Sequence, residues 1–181
     1  MIMSEKDTLV NTNTVIKKYF FKTNKNFPNN KLPLLIYKNA CLLGAQKNKS
    51  AHLLQKIFNK NNWKNSWSNG IYSFHHYHSN THECMGIASG KAWVIFGGPG
   101  GRKIVLEKGD VIIIPAGVAH KCSKTSTDFL CVGTYPGGTE YDINLGTKEE
   151  FEKANARISK ISKPALDPVF GKEGFLKSFW K

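Results

Sequence analysis

The feature that most constrains this chain is one glycine-bounded run, Gly70-Ile-Tyr-Ser-Phe-His-His-Tyr-His-Ser-Asn-Thr-His-Glu-Cys-Met-Gly-Ile-Ala-Ser-Gly90. Within it His76 and His78 stand one residue apart. In an extended strand that spacing puts both imidazoles on one face, because successive side chains alternate. Ser79, Asn80, Thr81 and His82 form a polar, turn-prone connection. A second strand returning antiparallel after it brings Glu83 opposite the two histidines. Downstream, Gly109-Asp-Val-Ile-Ile-Ile-Pro-Ala-Gly-Val-Ala-His120 reads as a buried strand, a turn at Pro115 to Gly117 and a new strand presenting another imidazole, His120.

Three imidazoles and a carboxylate are borderline nitrogen and hard oxygen donors. They suit Fe(II), Mn(II), Ni(II), Co(II) or Zn(II) rather than a thiolate-selected metal. Parity separates the four from their neighbours. His75 and Tyr77 are out of phase with His76 and His78, and His82 and Cys84 are out of phase with Glu83, so they point away. The same parity puts Tyr72, Phe74, Met85 and Ile87 along the cavity, with Cys122, two residues after His120, beside them.

These residues resemble the two motifs of the cupin superfamily. Gly70, His76, His78, Glu83 and Gly90 occupy the fixed positions of the first, and Gly109, Pro115, Gly117 and His120 those of the second. Lys124 stands where the second motif has Asn, a departure that bears on the local turn and not on the ligands. The flanks Phe27-Pro-Asn-Asn-Lys-Leu-Pro-Leu-Leu-Ile-Tyr37 and Ala165-Leu-Asp-Pro-Val-Phe-Gly171 resemble those of small single-domain bacterial cupins of the YjlB type. The resemblance covers most of the chain after Phe27. It implies an all-β, antiparallel, jelly-roll-like (double-stranded β-helix, RmlC-like) barrel with a few flanking helices. It also implies one divalent transition metal per subunit on His76, His78, Glu83 and His120, and a homodimer.

The remaining sequence fits that frame. Lys91 to Phe96, Ile104 to Leu106, Val111 to Ile114 and Phe129 to Tyr135 read as short strands punctuated by Gly and Pro, the pattern of a sandwich or barrel. Gly97 to Gly101 is a hairpin connection, without the Lys-Ser/Thr or following helix of a phosphate loop. Residues 1–27 form a polar arm, either frayed or added as a strand to a neighbour. The barrel spans 28–146, with an outer helix near 50–62 capped by Ser50 and carrying Leu53, Leu54, Ile57 and Phe58 on one face. Residues 147–181 open on a capping box, Thr147-Lys-Glu-Glu150, and a stripe of Phe151, Ala154, Ile158 and Ile161. The tail's Phe170, Phe175, Leu176, Phe179 and Trp180 are too apolar to leave in water. They cover the barrel of their own subunit or cross to a partner, which gives an independent reason to expect a dimer.

Charge excludes less than its size implies. The chain carries a formal +13, distributed as +10 over residues 1–70, zero over 71–146 and +3 beyond, so the motif-bearing core is neutral. The lysines are dispersed rather than run together, which argues against a nucleic-acid partner. Cys41, Cys84, Cys122 and Cys131 contain no Cys-x-x-Cys pair, so a zinc ribbon or redox dithiol is not expected and reduced thiols are. No apolar run reaches membrane-spanning length and Met1 to Val10 is too polar for a secretory signal, so the expected location is cytoplasmic, with no membrane partner.

The functional expectation is a metalloenzyme acting on a small molecule, in the first instance an Fe(II)-type dioxygenase. The alternatives are an isomerase or lyase using the ion as a Lewis acid, and a non-catalytic cupin that binds a metal or small ligand. An isomerase needs a general base, and the sequence offers no strong one inside the barrel besides Glu83.

Overall fold

A computed structural model describes residues 10–181, so the first nine residues of the expected N-terminal arm lie outside the described residues. The chain runs through β1 (Val15–Phe21), β2 (Asn30–Lys38), α1 (Lys47–Lys60), β3 (Trp63–Asn69), β4 (Glu83–Ser89) and β5 (Lys91–Phe96). It continues through β6 (Arg102–Glu107), β7 (Val111–Ile114), β8 (His120–Thr125), β9 (Leu130–Pro136), α2 (Lys148–Ile158) and α3 (Leu176–Phe179). Two sheets face each other, one ordered β1-β2-β7-β4-β9-β3 and the other β6-β5-β8, with antiparallel pairing throughout. This is the all-β barrel expected from the short, punctuated strands.

The central strands of the large sheet are apolar on both faces because both are covered. Leu34, Ile36, Met85, Ile87, Ile112 and Ile114 pack between the sheets against Val94, Phe96 and Leu106. The alternate residues Leu35, Tyr37, Cys84, Val111, Ile113 and Val132 face outward into a second core. That core is closed by Leu54 and Phe58 of α1 and by Leu176 and Trp180 of the tail. Helix α1 lies close on β4 because Gly86 has no side chain: a Cβ there would come within 2.8 Å of the Phe58 ring.

Three expectations change at the edges. Part of the polar arm is strand β1, which pairs with β2 of its own sheet. Helix α1 begins at Lys47 rather than after Ser50. Ser50 is buried, and its hydroxyl donates to Gly44 O at 3.1 Å instead of capping, so packing sets the start. Helix α2 keeps its Thr147/Glu150 capping box but ends at Ile158, short of Ile161 and before Pro164.

The apolar tail covers its own barrel, so it no longer supplies the independent reason for a dimer. One buried carboxylate fastens it. Asp167 accepts from the Tyr37 hydroxyl at 2.6 Å and from the amides of Val169, Phe170 and Leu176 at 2.9, 3.0 and 3.2 Å. The Trp180 indole then donates to Pro33 O at 2.8 Å. Asp167→Ala leaves the Tyr37 hydroxyl and buried amides without an acceptor, and the expected loss of unfolding free energy is about 3 kcal/mol. Urea denaturation checks this, and an unchanged midpoint would show that the tail is held by apolar contact alone.

Candidate metal centre

Four side chains converge where strand ends and one connecting segment meet. Glu83 is the first residue of β4 and His120 the first of β8. The turn before β8 requires glycine at 117, where φ is +86° and a Cβ would approach Asn29 O to 2.6 Å. The Gly117 amide donates to His78 O at 2.7 Å, which ties this turn to the first histidine segment. That segment is extended, but it is not the continuous strand expected from the sequence. His76 exchanges backbone hydrogen bonds with His120 and Tyr77 with Asn144, as isolated bridges. The segment runs between the start of β8 and the loop after β9, so each edge finds only local partners.

The nitrogens offered by His76, His78 and His120 lie within 4.8 Å of one another. Glu83 Oε2 is 3.4 Å from His78 Nε2 and 3.3 Å from His120 Nε2. All four residues are at most 4% exposed. Each imidazole has its other nitrogen engaged: Nδ1 of His76 meets Phe74 O and Nδ1 of His120 meets Val118 O, both at 3.2 Å, while Nδ1 of His78 meets Asp142 O. A carbonyl can only accept, so Nδ1 of each ring carries a proton and, in the tautomer a metal requires, Nε2 is the nitrogen left to face the shared centre. Glu83 Oε2 is buried without a hydrogen-bond donor. Inward lone pairs beside an orphaned carboxylate oxygen form a donor set that a divalent cation completes, with outer partners that fix each ring.

Titration follows the same geometry. Burial, then the neighbouring His120 and His78, holds the His76 pKa down to about 3. Burial works against the charged form of Glu83, but facing His78 and His120 outweighs it and keeps the carboxyl well below its ordinary range. Burial also works against a charged His78, yet the Glu83 carboxylate raises its pKa above 6.5.

A hydrogen-bond chain across three adjacent strands positions Glu83. The register Cys84↔Thr134 places Tyr135 of β9 beside Glu83 of β4, and Trp67↔Gly133 places Trp67 of β3 two residues along the same face. The Tyr135 hydroxyl donates to Glu83 Oε1 at 3.1 Å and accepts from Trp67 Nε1 at 2.8 Å. Glycine at 133 is required, since a Cβ there would fall 2.1 Å from the Trp67 ring. Oε1 is thereby occupied and Oε2 remains free for an ion. Asp142, whose carbonyl holds His78, is fixed in turn by Ser79 and by an ion pair with Arg157 of α2 at 3.1 Å.

A cavity of about 170 Å³ opens onto the four residues. Of the expected lining residues, Tyr72 and Met85 border it. Ile87 and Cys122 lie in the packed interior between the sheets, because parity fixes the face but not the depth along the barrel. Phe74 stacks on Tyr72 and borders a separate depression with His75 and Phe27. The out-of-phase residues are elsewhere: His75 and Tyr77 pack on Phe27, Cys84 is in the outer core, and His82 Nδ1 accepts from the Ala116 amide beside Trp180. Sequence reading missed Tyr135, Trp67 and Tyr141, which wall the cavity. Alternation along β9 groups Cys131, Gly133 and Tyr135 on one face, and that was the available signal for Tyr135.

Comparison with known proteins gives the family. The Cupin domain family matches residues 68–133. The uncharacterized protein YjlB of Bacillus subtilis is 40% identical over 163 residues, covering 90% of this chain and 94% of YjlB. The chain therefore belongs to the cupin family, as a cupin of the YjlB type. Among solved structures, the TDP-fucose-3,4-ketoisomerase WlaRA of Campylobacter jejuni is similar with a TM-score of 0.43 at 17% identity, covering 80% of this chain and 98% of that one. A DUF861 family protein of Thermotoga maritima has a TM-score of 0.36 at 22% identity, covering 56% and 98%. The acireductone dioxygenase of Bacillus anthracis has a TM-score of 0.36 at 17% identity, covering 50% and 61%.

Two outcomes follow for the donor set. Tyr135→Phe removes the donor that holds Glu83 Oε1 and should weaken metal binding by about 10- to 100-fold; competition against a chromogenic chelator measures it, and unchanged affinity would show that Tyr135 does not orient the carboxylate. In the metal-free protein the His78–Glu83 pair contributes stability above the ordinary glutamate pKa of 4.5, which is lost as pH rises through the raised pKa of His78. Metal binding near pH 6.5 should therefore release about one proton, and fewer as pH rises further. The buffer dependence of the calorimetric enthalpy reads that number, and no release would place the proton elsewhere.

Proposed function

We propose that this cupin is a metalloenzyme. It holds one divalent transition-metal ion on His76, His78, Glu83 and His120 and acts on a small molecule in the adjoining cavity, with the chemistry of an Fe(II)-type dioxygenase. The observation that carries the reading is the donor set itself: Nδ1 of all three histidines is engaged by backbone carbonyls while Glu83 Oε2 has no donor. A structural or surface histidine cluster has no reason to gather three ring nitrogens within 4.8 Å of one another with an orphaned carboxylate oxygen 3.3 and 3.4 Å from two of them. Four protein ligands would leave a six-coordinate ion two positions, and the cavity is bordered by all four residues.

The chain's own residues favour oxygen chemistry over proton transfer. Among the described residues Glu83 is the only carboxylate bordering the cavity, and in this reading it is committed to the ion. The Tyr135 phenol is held protonated by burial and by the Glu83 charge, so it is a poor base. With no spare base, an isomerase lacks a group to take a substrate proton. A reaction in which dioxygen is the oxidant and both its atoms enter the product does not require a base that carries a proton from one carbon of the substrate to another. The ion, when bound, supplies Lewis acidity and, as iron(II), redox chemistry with dioxygen. The protein orients the substrate against the ion and keeps bulk water out with Trp67, Tyr72, Tyr135 and Tyr141.

The test is elemental analysis of protein purified without chelator or affinity metal, followed by oxygen uptake after anaerobic iron(II) loading against pools of catechols, thiols, diketones and keto acids. About one iron per chain with uptake on one pool is expected. His76→Ala should abolish both metal and uptake while leaving the circular dichroism spectrum intact. Stoichiometric zinc, manganese or nickel without uptake would replace the dioxygenase by Lewis-acid chemistry or ligand binding, and absence of any metal would overturn the centre.

A further inference from the structure

The alternation that turns Glu83 toward the metal centre turns His82, like Cys84, to the outer side of the large sheet. There its ring packs on Trp180 with centroids 4.6 Å apart. Its Nδ1 accepts from the Ala116 amide at 2.9 Å, so the proton of the neutral ring is on Nε2. Burial keeps the ring neutral near physiological pH, lowering its pKa to about 4 against a smaller opposing effect of the Ser162 backbone. His82 is 1% exposed, and its Nε2 has no hydrogen-bond partner. A buried donor without an acceptor is uncommon in a folded chain and calls for one.

His82 borders a groove of about 740 Å³ between the β1–β2 hairpin, helix α2 and the segment after α2. That volume is within the roughly 300–1,000 Å³ of small-molecule sites. The apolar walls are Phe20, Phe21 and Leu32 on the hairpin side and Ile158 and Ile161 on the other, and Phe20 is 69% exposed. The hairpin is anchored to the turn before β8. Asn30 Nδ2 donates to Ala116 O at 2.8 Å and Asn29 Oδ1 accepts from the Ala119 amide at 3.1 Å. His82, Ile161 and Lys163 also border a second depression of about 350 Å³, with Lys160 on its rim, so the imidazole lies in a wall shared by the two.

The charge of the groove is of one sign. Lys22, Lys31 and Lys163 border it and no Asp or Glu does. Among the described residues none of these three lysines is in an ion pair. The side chains of Thr23, Asn29 and Asn30 are already bonded to backbone groups. We propose that the groove binds a medium-chain carboxylate, its head group drawn to the lysines and the unmet His82 N–H and its chain lying along Phe20, Leu32 and Ile158. Ammonium groups and a buried N–H complement an anionic head, and the apolar walls complement a chain that a compact anion lacks. The inference is independent of the metal centre.

The test titrates the full chain, as purified, with decanoate, butyrate and decyltrimethylammonium in a calorimeter. About one decanoate per chain should bind saturably, about 100-fold tighter than butyrate because the longer chain leaves water, and the cation should not saturate. Lys31→Glu combined with Lys163→Glu, both at exposed positions, should weaken decanoate about tenfold. In the chain labelled with ¹⁵N-histidine, decanoate should move the His82 Nε2–H proton resonance downfield. Equal binding of the anion and the cation, an unchanged double variant, or a His82 resonance that stays in place at saturation would each overturn the inference. Retention on phosphatidylglycerol vesicles without saturable decanoate binding would assign this face to a membrane. A double variant that alters only sedimentation would assign it to a second copy of the chain. Either result overturns the inference as well.

Discussion

A carboxylate taken out of water costs several kcal/mol unless positive charge or donors replace the lost hydration, and Glu83 is buried to 2% exposure with one oxygen lacking any donor. The three imidazoles around it cannot all satisfy it, because their Nδ1 protons already go to carbonyls. Two solutions remain: a proton on His78, or a cation shared by all four residues. The first explains the raised pKa of His78 beside a depressed Glu83. The second is the metal centre we propose, in which one cation would meet the three gathered imidazoles and Glu83 Oε2 beside two of them.

Holding such an unfavourable group requires a rigid surround, and the large sheet supplies it by being buried on both faces. Its inner residues pack against the small sheet, and its outer residues lie under α1 and the C-terminal tail. The tail is therefore part of what keeps β2, β4 and β7 in register, and Asp167 is the polar fastening that turns it back onto Tyr37. A loose tail would expose the outer face directly behind the strand that carries Glu83.

Register does the finer positioning. Because β9 lies between β4 and β3, Tyr135 can donate to Glu83 while receiving from Trp67, and Gly133 leaves the indole the room to do so. Trp67 and Tyr135 also wall the cavity, which among the described residues is bordered by no lysine or arginine in a chain of net charge +13. The sequence places most of that excess before residue 70.

That His76, His78 and His120 come together, with Glu83 beside two of them, was legible because the signals are local: one-residue alternation, a polar turn, and a Pro-x-Gly turn ahead of a new strand. Val111 to Ile114 and the Thr147 capping box were legible for the same reason, since backbone periodicity and first-turn hydrogen bonds depend on near neighbours. The partners that orient those ligands were not. Tyr135 and Trp67 reach Glu83 only through the register of β9 with β4 and β3, and Tyr141 returns to the cavity on a loop pinned by Asp142. Whether Phe74, Ile87 and Cys122 reach the cavity, and whether the tail covers its own barrel, depended on packing depth and chain path, which alternation does not encode. The sequence by itself determined which atoms could bind an ion and on which face they stand; the tertiary structure alone decided how they are held, because that rests on contacts between residues far apart in the chain, such as Trp67 with Tyr135, 68 positions apart, and Tyr37 with Asp167, 130 apart.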